Sequence, residues 1–346
     1  MTSRNQLQDP NRTDTYTLEI YSLSTRLIYT MNRSSDTQPN CFFLSVNLER
    51  THSALVASIL TSILNVLFSL LTSTGNVIIL RVIWKKQELH SPSFVLLSCL
   101  AASDLVVGLV CQPFFVAYHI AELMDDFNAY CALRIIQSIS SFSTIGVSLA
   151  TLSGISIDRL LALTLHLRYS EVVTIRKIMI IALIVWVLST CVVLLRFWMN
   201  NWFFIPVVVL LVTFLVTALS TWKIFQIVRK HQRQISLQRR SVQRHGMNVL
   251  KCRKSTITVL YVYGLLLLFF FPLFVTIFVE SFTGYTTTMK IVYDYVTTAV
   301  FINSFLNPLV YCWRIGEIRR AVRAALRKSN NDVTNLESTF RSVSKI

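Results

Sequence analysis

The run from Ile178 to Trp198 reads IMIIALIVWVLSTCVVLLRFW and meets no charge until Arg196. A helix needs about 20 such residues to cross the hydrocarbon core of a bilayer. Working outward, six further apolar stretches share its character. They are Ala54–Ile83, Pro92–His119 and Ala129–Leu161 before it, and Trp202–Val228, Ser255–Ser281 and Met289–Trp313 after it. Composition agrees: 53% of the 346 residues are hydrophobic and 14% charged, where soluble domains average roughly 25% charged. The reading is an all-α membrane protein, a seven-transmembrane helix bundle. The net charge of +16 would suggest nucleic acid in a soluble domain. Here it sits in short segments between apolar runs, so nucleic acid is not an expected partner.

Those segments orient the chain. One set of loops holds Lys85, Lys86, Arg168, Arg176 and Lys177, then a run from Arg229 to Lys254 whose charges are all basic. The alternate loops carry Glu122, Asp125, Asp126 and Asp294. By the positive-inside rule the basic side is cytoplasmic and the N-terminus outside. The sequons at Asn11 and Asn32 fit as glycosylation acceptors on the outer segment, residues 1–53. That segment is polar, so the first span is expected to direct insertion into a plasma-membrane, multi-pass topology. Residues 54–313 form the spanning domain. In residues 314–328, Ile315, Ile318, Val322, Ala325 and Leu326 alternate with basic residues. This predicts a short amphipathic eighth helix on the inner surface, against anionic membrane lipid. Residues 329–346 are expected to be a disordered, hydroxyl-rich cytoplasmic tail. No CxxC pair marks a zinc site among the seven cysteines, and no catalytic constellation converges, so an enzyme is not expected.

A charge in hydrocarbon costs roughly 2.5–3.5 kcal/mol on insertion scales, so the polar residues inside the spans need a reason. Asp104 lies mid-span, Asn76 in the first span, Ser148 in the third, and Asn303, Ser304 and Asn307 in the seventh. They offer oxygen ligands only, which suits a hard cation such as sodium, or water. A hydrogen-bonded clasp between helices accounts for them equally well. Pro272 and Pro308 each remove a backbone donor inside a span, which supplies the parts of a two-state switch. A transporter or channel is the alternative class. Transporters often show internal repeats and glycine-interrupted spans, and neither is visible here.

In order and spacing these residues resemble the rhodopsin-like, or class A, G-protein-coupled receptors over about residues 55–328. Gly75-Asn76, Leu100-Ala101-Ala102-Ser103-Asp104, Asp158-Arg159-Leu160, Trp186 and Asn307-Pro308-Leu309-Val310-Tyr311 match the family's motifs in the first, second, third, fourth and seventh helices. The resemblance implies that Arg159 engages a heterotrimeric G protein once the sixth helix swings out, and that Asp158 restrains it at rest. Phe270, Pro272, Asn307, Pro308 and Tyr311 would complete the switch. Asp104, Ser148, Asn303, Ser304 and Asn307 would hold sodium as an allosteric modulator, with no other cofactor. Receptor kinase and arrestin would act on the tail.

The departures matter too. Leu160 ends the third-helix motif, Phe270 replaces the usual tryptophan, and Cys252 replaces the acid at the base of the sixth helix, which implies ligand-free activity. Ser141 stands where amine receptors carry an Asp and Phe301 where opsins carry a Lys, so neither a biogenic amine nor retinal is expected. The pocket walls implied are Gln137, Ser141, Phe270, Phe274, Thr297 and Phe301, with Arg134, Glu280 and Asp294 at the mouth; the extracellular ligand stays open. Arg134 occupies the usual disulfide position, and the second outer loop, Met199–Phe203, has no cysteine. This loop resembles that of melanocortin receptors; the inner loops resemble those of adenosine receptors. The usual bridge cannot form. Cys41 and Cys131 both belong on the oxidising side, so they either pair with each other or stay free.

Overall fold

The computed structural model describes residues 40–42, 44–165, 168–199, 204–237, 243–325 and 327, with the side chains of 40, 45, 231–256, 258–260, 263 and 266 excepted. The sequons at Asn11 and Asn32, the tail 329–346, most of the second outer loop and the Cys252 side chain lie outside the described residues. The chain separates into two units, Met1–Asn40 and Cys41–Ile346.

Two short strands, β1 (Asn40–Cys41) and β2 (Leu44–Ser45), pair ahead of the helices. Seven long helices follow: α1 His52–Lys85, α2 Pro92–Leu123, α3 Phe127–Leu165, α4 Ile175–Leu194, α5 Phe204–Leu237, α6 Gln243–Thr283 and α7 Thr287–Arg314. Six of them have the length and composition to cross a membrane among the described residues, and α6 contributes the apolar segment Leu267–Thr283. A single helical turn, Tyr169–Val172, joins α3 to α4, and a 3-10 turn, Leu195–Phe197, ends α4. The expected spans coincide with these helices to within a turn or so at most boundaries; α5 and α6 run further at the loop that joins them.

Local chemistry starts the helices. Thr51 and Thr286 accept hydrogen bonds from Ala54 N (3.2 Å) and Met289 N (3.3 Å), the usual N-cap device for amides that lack a helical partner. Pro92 opens α2, where its missing N–H costs nothing.

The helices are polar inward and apolar outward. On α1, Asn65, Thr72 and Asn76 are fully buried while Ile63 and Leu70 are exposed. In water this would be inverted, since each exposed Å² of apolar surface costs about 25 cal/mol. In lipid the apolar face costs nothing and the polar face must find partners among the helices. Asn65 does so, donating to Thr298 Oγ1 of α7 at 2.8 Å and accepting from Gln112 Nε2 of α2 at 3.3 Å. Only Ile178 and Val193 of α4 are buried, which makes it the most peripheral helix described.

The middle of α2 is a π-turn, Val107–Cys111, which ends two residues before Pro113. The proline has no N–H for the carbonyl four residues back, and the wider turn lets Gln112 N–H bond to Val107 O instead. The turn re-aims everything beyond it, so Gln112, Phe115 and His119 all point into the bundle. It also brings α1 close. A Cβ on Gly108 would stand 2.6 Å from Ser73 Oγ, and Ser69 Oγ donates to Gly108 O at 2.7 Å. Only glycine fits that seam.

Three clusters make the core among the described residues, the smallest of them Leu163, Ile224 and Val228 between α3 and α5. One, around Ile79, Leu100, Leu152 and Tyr311, includes Ile318 and Ala321. These belong to residues 316–325, a further helical segment. Ile318 and Ala321 are fully buried, Ile315 and Val322 half-buried, and Arg319, Arg320 and Arg323 exposed; the segment is amphipathic, but Ala325, expected on the apolar face, is exposed, and Leu326 lies outside the described residues. The third gathers Cys41, Val46, Phe115, Tyr118, Tyr130 and Phe301 at the N-terminal end of the bundle.

Candidate functional site

At the bundle centre Asp104 of α2 is buried, and Asn307 Nδ2 of α7 donates to its Oδ2 at 2.8 Å. Ser304 lies near the same carboxylate. Asn76 Nδ2 reaches Ser304 O at 3.3 Å. On the helices meeting here Asn76 Oδ1, Asn303 Oδ1 and Asn307 Oδ1 are buried with no hydrogen-bond partner among the described residues. An unsatisfied buried acceptor costs about 1–3 kcal/mol, so these oxygens suit water or a hard cation. Ser148 departs from the expected set: its hydroxyl lies 3.1 Å from Ser103 Oγ rather than on Asp104. Tyr311 is buried close enough to Asp104 to feel its charge.

At the end opposite the N-terminus, Asp158 is buried with both oxygens occupied. Ser93 Oγ of α2 donates to Oδ2 at 2.5 Å and the Tyr169 hydroxyl to Oδ1 at 2.6 Å. Burial, then the bond to Asp158, hold the Tyr169 phenol above its ordinary pKa, so it stays a donor. Arg159 lies beside the acid, its Nε 3.9 Å from Oδ2, and remains partly exposed. The acid is therefore held chiefly by hydroxyls, and its contact with Arg159 is long. Pro272 and Pro308 both lie inside their helices.

The N-terminal end differs most from expectation. Glu122 and Asp294, assigned to loops, are buried on α2 and α7. Lys290, also buried, pairs with Glu122. His119 lies between the two acids, Nδ1 3.5 Å from Glu122 Oε2 and Nε2 3.4 Å from Asp294 Oδ1. His119 and Lys290 are functional candidates the sequence reading passed over. The available signal was an ionisable residue inside an apolar run, the same signal that singled out Asp104. Beside them Arg134 Nη1 donates to the Tyr130 hydroxyl at 2.7 Å, and its guanidinium lies 4.8 Å from the ring centre of Tyr285.

Cys41 and Cys131 form a disulfide, with Cα atoms 5.3 Å apart across a separation of 90 residues. A loop of that size is worth about 4–5 kcal/mol on the chain-entropy account. Cys41→Ser is therefore expected to lower thermal stability clearly. Mass spectrometry of non-reduced digests should contain the cross-linked peptide; free alkylation of both cysteines would remove the bridge.

Of the expected pocket residues, Gln137 donates to Ser141 Oγ at 3.1 Å within α3, Thr297 is buried on α7, and Phe301 packs on Phe115, ring centres 6.1 Å apart. Phe270 and Phe274 line a cleft of about 240 Å³ with Phe142, Leu149, Leu188 and Pro206, between α3, α4, α5 and α6. Phe142 is one residue on from Ser141, about 100° round α3 at 3.6 residues per turn.

Seven helices with polar interiors, an acid–amide centre between α2 and α7, and an Asp-Arg pair at the far end of α3 are thus in place. A sequence model of the 7 transmembrane receptor (rhodopsin family) matches residues 75–206 and 197–311. The chain belongs to the rhodopsin family of seven-transmembrane receptors. The trace amine-associated receptor 7f of Mus musculus is 26% identical over 304 residues, covering 78% of this chain and 84% of that receptor. The histamine H2 receptor of Cavia porcellus is 23% identical over 293 residues, 74% of this chain and 76% of that receptor. That of Rattus norvegicus is 26% identical over 270 residues, 70% and 72%. As a rhodopsin-family receptor the chain is a multi-pass membrane protein of the class that signals through G proteins, not by catalysis.

Proposed function

We propose that this receptor carries an extracellular ligand signal across the plasma membrane to a heterotrimeric G protein, with Arg159 as the coupling residue. The observation that carries the reading is the state of Asp158: Ser93 and Tyr169 fill its oxygens, leaving Arg159 a contact of 3.9 Å and partial exposure. A partly exposed arginine at this end of α3 can exchange that contact for a partner protein when α6 moves. The basic loops at that end and the buried hairpin at the other support a cytoplasmic face and an external N-terminus. The exposed arginines of residues 316–325 suit an anionic lipid surface. Residues 1–53, 54–313, 314–328 and 329–346 would then be the outer segment, the transducing bundle, the surface helix and the tail on which receptor kinase and arrestin act. The test is nucleotide exchange by a panel of purified heterotrimers on membranes holding the receptor. Exchange above that of empty membranes is expected; none with any heterotrimer would overturn the reading.

Sodium fits the centre of the bundle, with Asp104 supplying the charge and Asn303, Ser304 and Asn307 neutral oxygens; Ser148 would join only by leaving Ser103. Asp104→Asn removes the anion and keeps the shape. It is expected to flatten the dependence of exchange on sodium concentration, whereas an unchanged sodium response would assign Asp104 to the clasp alone.

The relatives are named for trace amines and histamine, yet a different ligand is proposed here. Ser141 offers a hydroxyl already bonded to Gln137 where an amine would need a carboxylate. The buried acids Glu122 and Asp294 face Lys290 and His119 instead. Phe301 leaves no lysine for retinal.

A further inference from the structure

The end of the bundle nearest the N-terminus holds an imidazole between two carboxylates from different helices. His119 and Glu122 lie on α2, Asp294 and Lys290 on α7, and all four are buried. His119 Nδ1 stands 3.5 Å from Glu122 Oε2, and Nε2 stands 3.4 Å from Asp294 Oδ1. Phe115 and Tyr118 flank the ring, with centres 4.8 and 4.4 Å away, and hold its orientation. A neutral imidazole has one N–H and one lone pair. Placed here, it would serve one carboxylate and turn its lone pair on the other. An imidazolium has an N–H for each. Glu122 Oε2 and both ring nitrogens lack a hydrogen-bond partner among the described residues, so a small closure around a charged ring would make bonds that are now absent.

The species that completes this cluster is a proton, and a route to it exists. A cavity of about 20 Å³ joins His119 and Lys290 to Glu49 and Arg50 in the segment before α1. That is room for about one water, enough to relay a proton. Arg50 donates to Glu122 O at 2.6 Å and pairs with the exposed Asp125, while Glu49 accepts from Thr287. On α2 itself the Tyr118 hydroxyl donates to Asp294 Oδ1 at 3.4 Å. From α3 come Tyr130 and Arg134, bonded to each other at 2.7 Å, and from the turn before α7 comes Tyr285, whose ring meets the Arg134 guanidinium. Of these side-chain types, imidazole is the one that ordinarily changes charge between about pH 5 and 8.

We propose that His119 is a binding site for external protons: charged, it bridges Glu122 on α2 to Asp294 on α7 and clasps the outer ends of the two helices; neutral, it releases them. Asn307 of α7 bonds to Asp104 of α2 farther in, so the clasp is the outer of two ties between these helices. It is present in acid and lost as pH rises through the imidazole titration. Its effect on signalling rests on the receptor reading above: alkaline medium frees α7 and raises ligand-free exchange, and acid lowers it.

The site can be measured without signalling. The full-length receptor in phosphatidylcholine nanodiscs is unfolded thermally at steps from pH 5.5 to pH 9. The melting temperature is expected to fall as pH rises. His119→Gln, which keeps a polar amide and no titratable charge, should flatten that profile, and the exposed His52→Gln should leave it unchanged. Asp294→Asn removes one of the two acids that face the ring and should also shrink the response, which checks the site if the His119 variant does not fold. A parent profile indifferent to pH, or one that survives both His119→Gln and Asp294→Asn, would overturn the proposal. Nucleotide exchange on the same nanodiscs reports separately. The ratio of parent to His119→Gln exchange, in which the G protein's own response to pH cancels, should rise about threefold from pH 5.5 to pH 9; a constant ratio overturns the signalling step. Exchange with a flat melting profile keeps the receptor reading and rejects the proton site, and the expected melting profile without exchange at any pH does the reverse.

Discussion

Arg159→Ala is expected to reduce G-protein nucleotide exchange to the level of empty membranes while leaving the receptor folded. The side chain is one-quarter exposed at the end of the bundle, with its Nε 3.9 Å from Asp158 Oδ2, so the change leaves the buried interior intact. Alanine is also the best helix former. Asp158→Ala should behave differently. It strands the Ser93 and Tyr169 hydroxyls that now donate to the acid, at about 1–3 kcal/mol for each unsatisfied buried group. That variant is expected to lose surface expression as well as control. Cell-surface immunodetection measured beside nucleotide exchange separates the two. If Arg159→Ala couples as well as the parent, Arg159 is not the coupling residue, whatever motif it sits in.

Lys290→Ala is expected to be the most destabilising single change in the bundle. Lys290 and Glu122 are both buried, and the neighbouring acid, Asp294, is buried with them. Removing the lysine leaves two carboxylates facing one imidazole. Losing one partner of a buried ion pair costs about 3–5 kcal/mol, because the other charge remains in low dielectric. A marginally stable protein does not tolerate that easily. Combining Lys290→Met with Glu122→Gln removes both charges of the pair and should recover most of the loss. Thermal unfolding of the purified receptor for the two single variants and the double one measures the coupling directly. Additive effects would show that the pair does not act as a unit.

The contrast between those two sites shows what the sequence made legible. The spans were readable because lipid rewards long apolar runs regardless of rotation about the helix axis. The centre at Asp104 and Asn307 was readable because an acid in such a run is costly and its partner sits in a recognisable proline motif. Rotation was not readable. The π-turn at Val107–Cys111 shifts the register of α2, and no simple 3.6-residue pattern indicates that His119 and Glu122 then face Asp294 and Lys290. Asp294 was taken for a loop acid by its sign, although it lies inside the seventh apolar run. The cleft lined by Phe142 and Phe270 was not readable either, because it opens where α4 and α5 have little contact with each other, and the spacing between two helices is a property of neither sequence alone.

Reducing conditions reach the outer end of this receptor at one bond. The Cys41–Cys131 disulfide ties the hairpin to α3, and Phe42, the next residue, packs on Phe197 at the end of α4 with ring centres 6.4 Å apart. A thiol reductant that cuts the bond removes the covalent tether of a segment that touches both helices, so the redox state of the medium becomes a variable to hold fixed whenever this receptor is assayed.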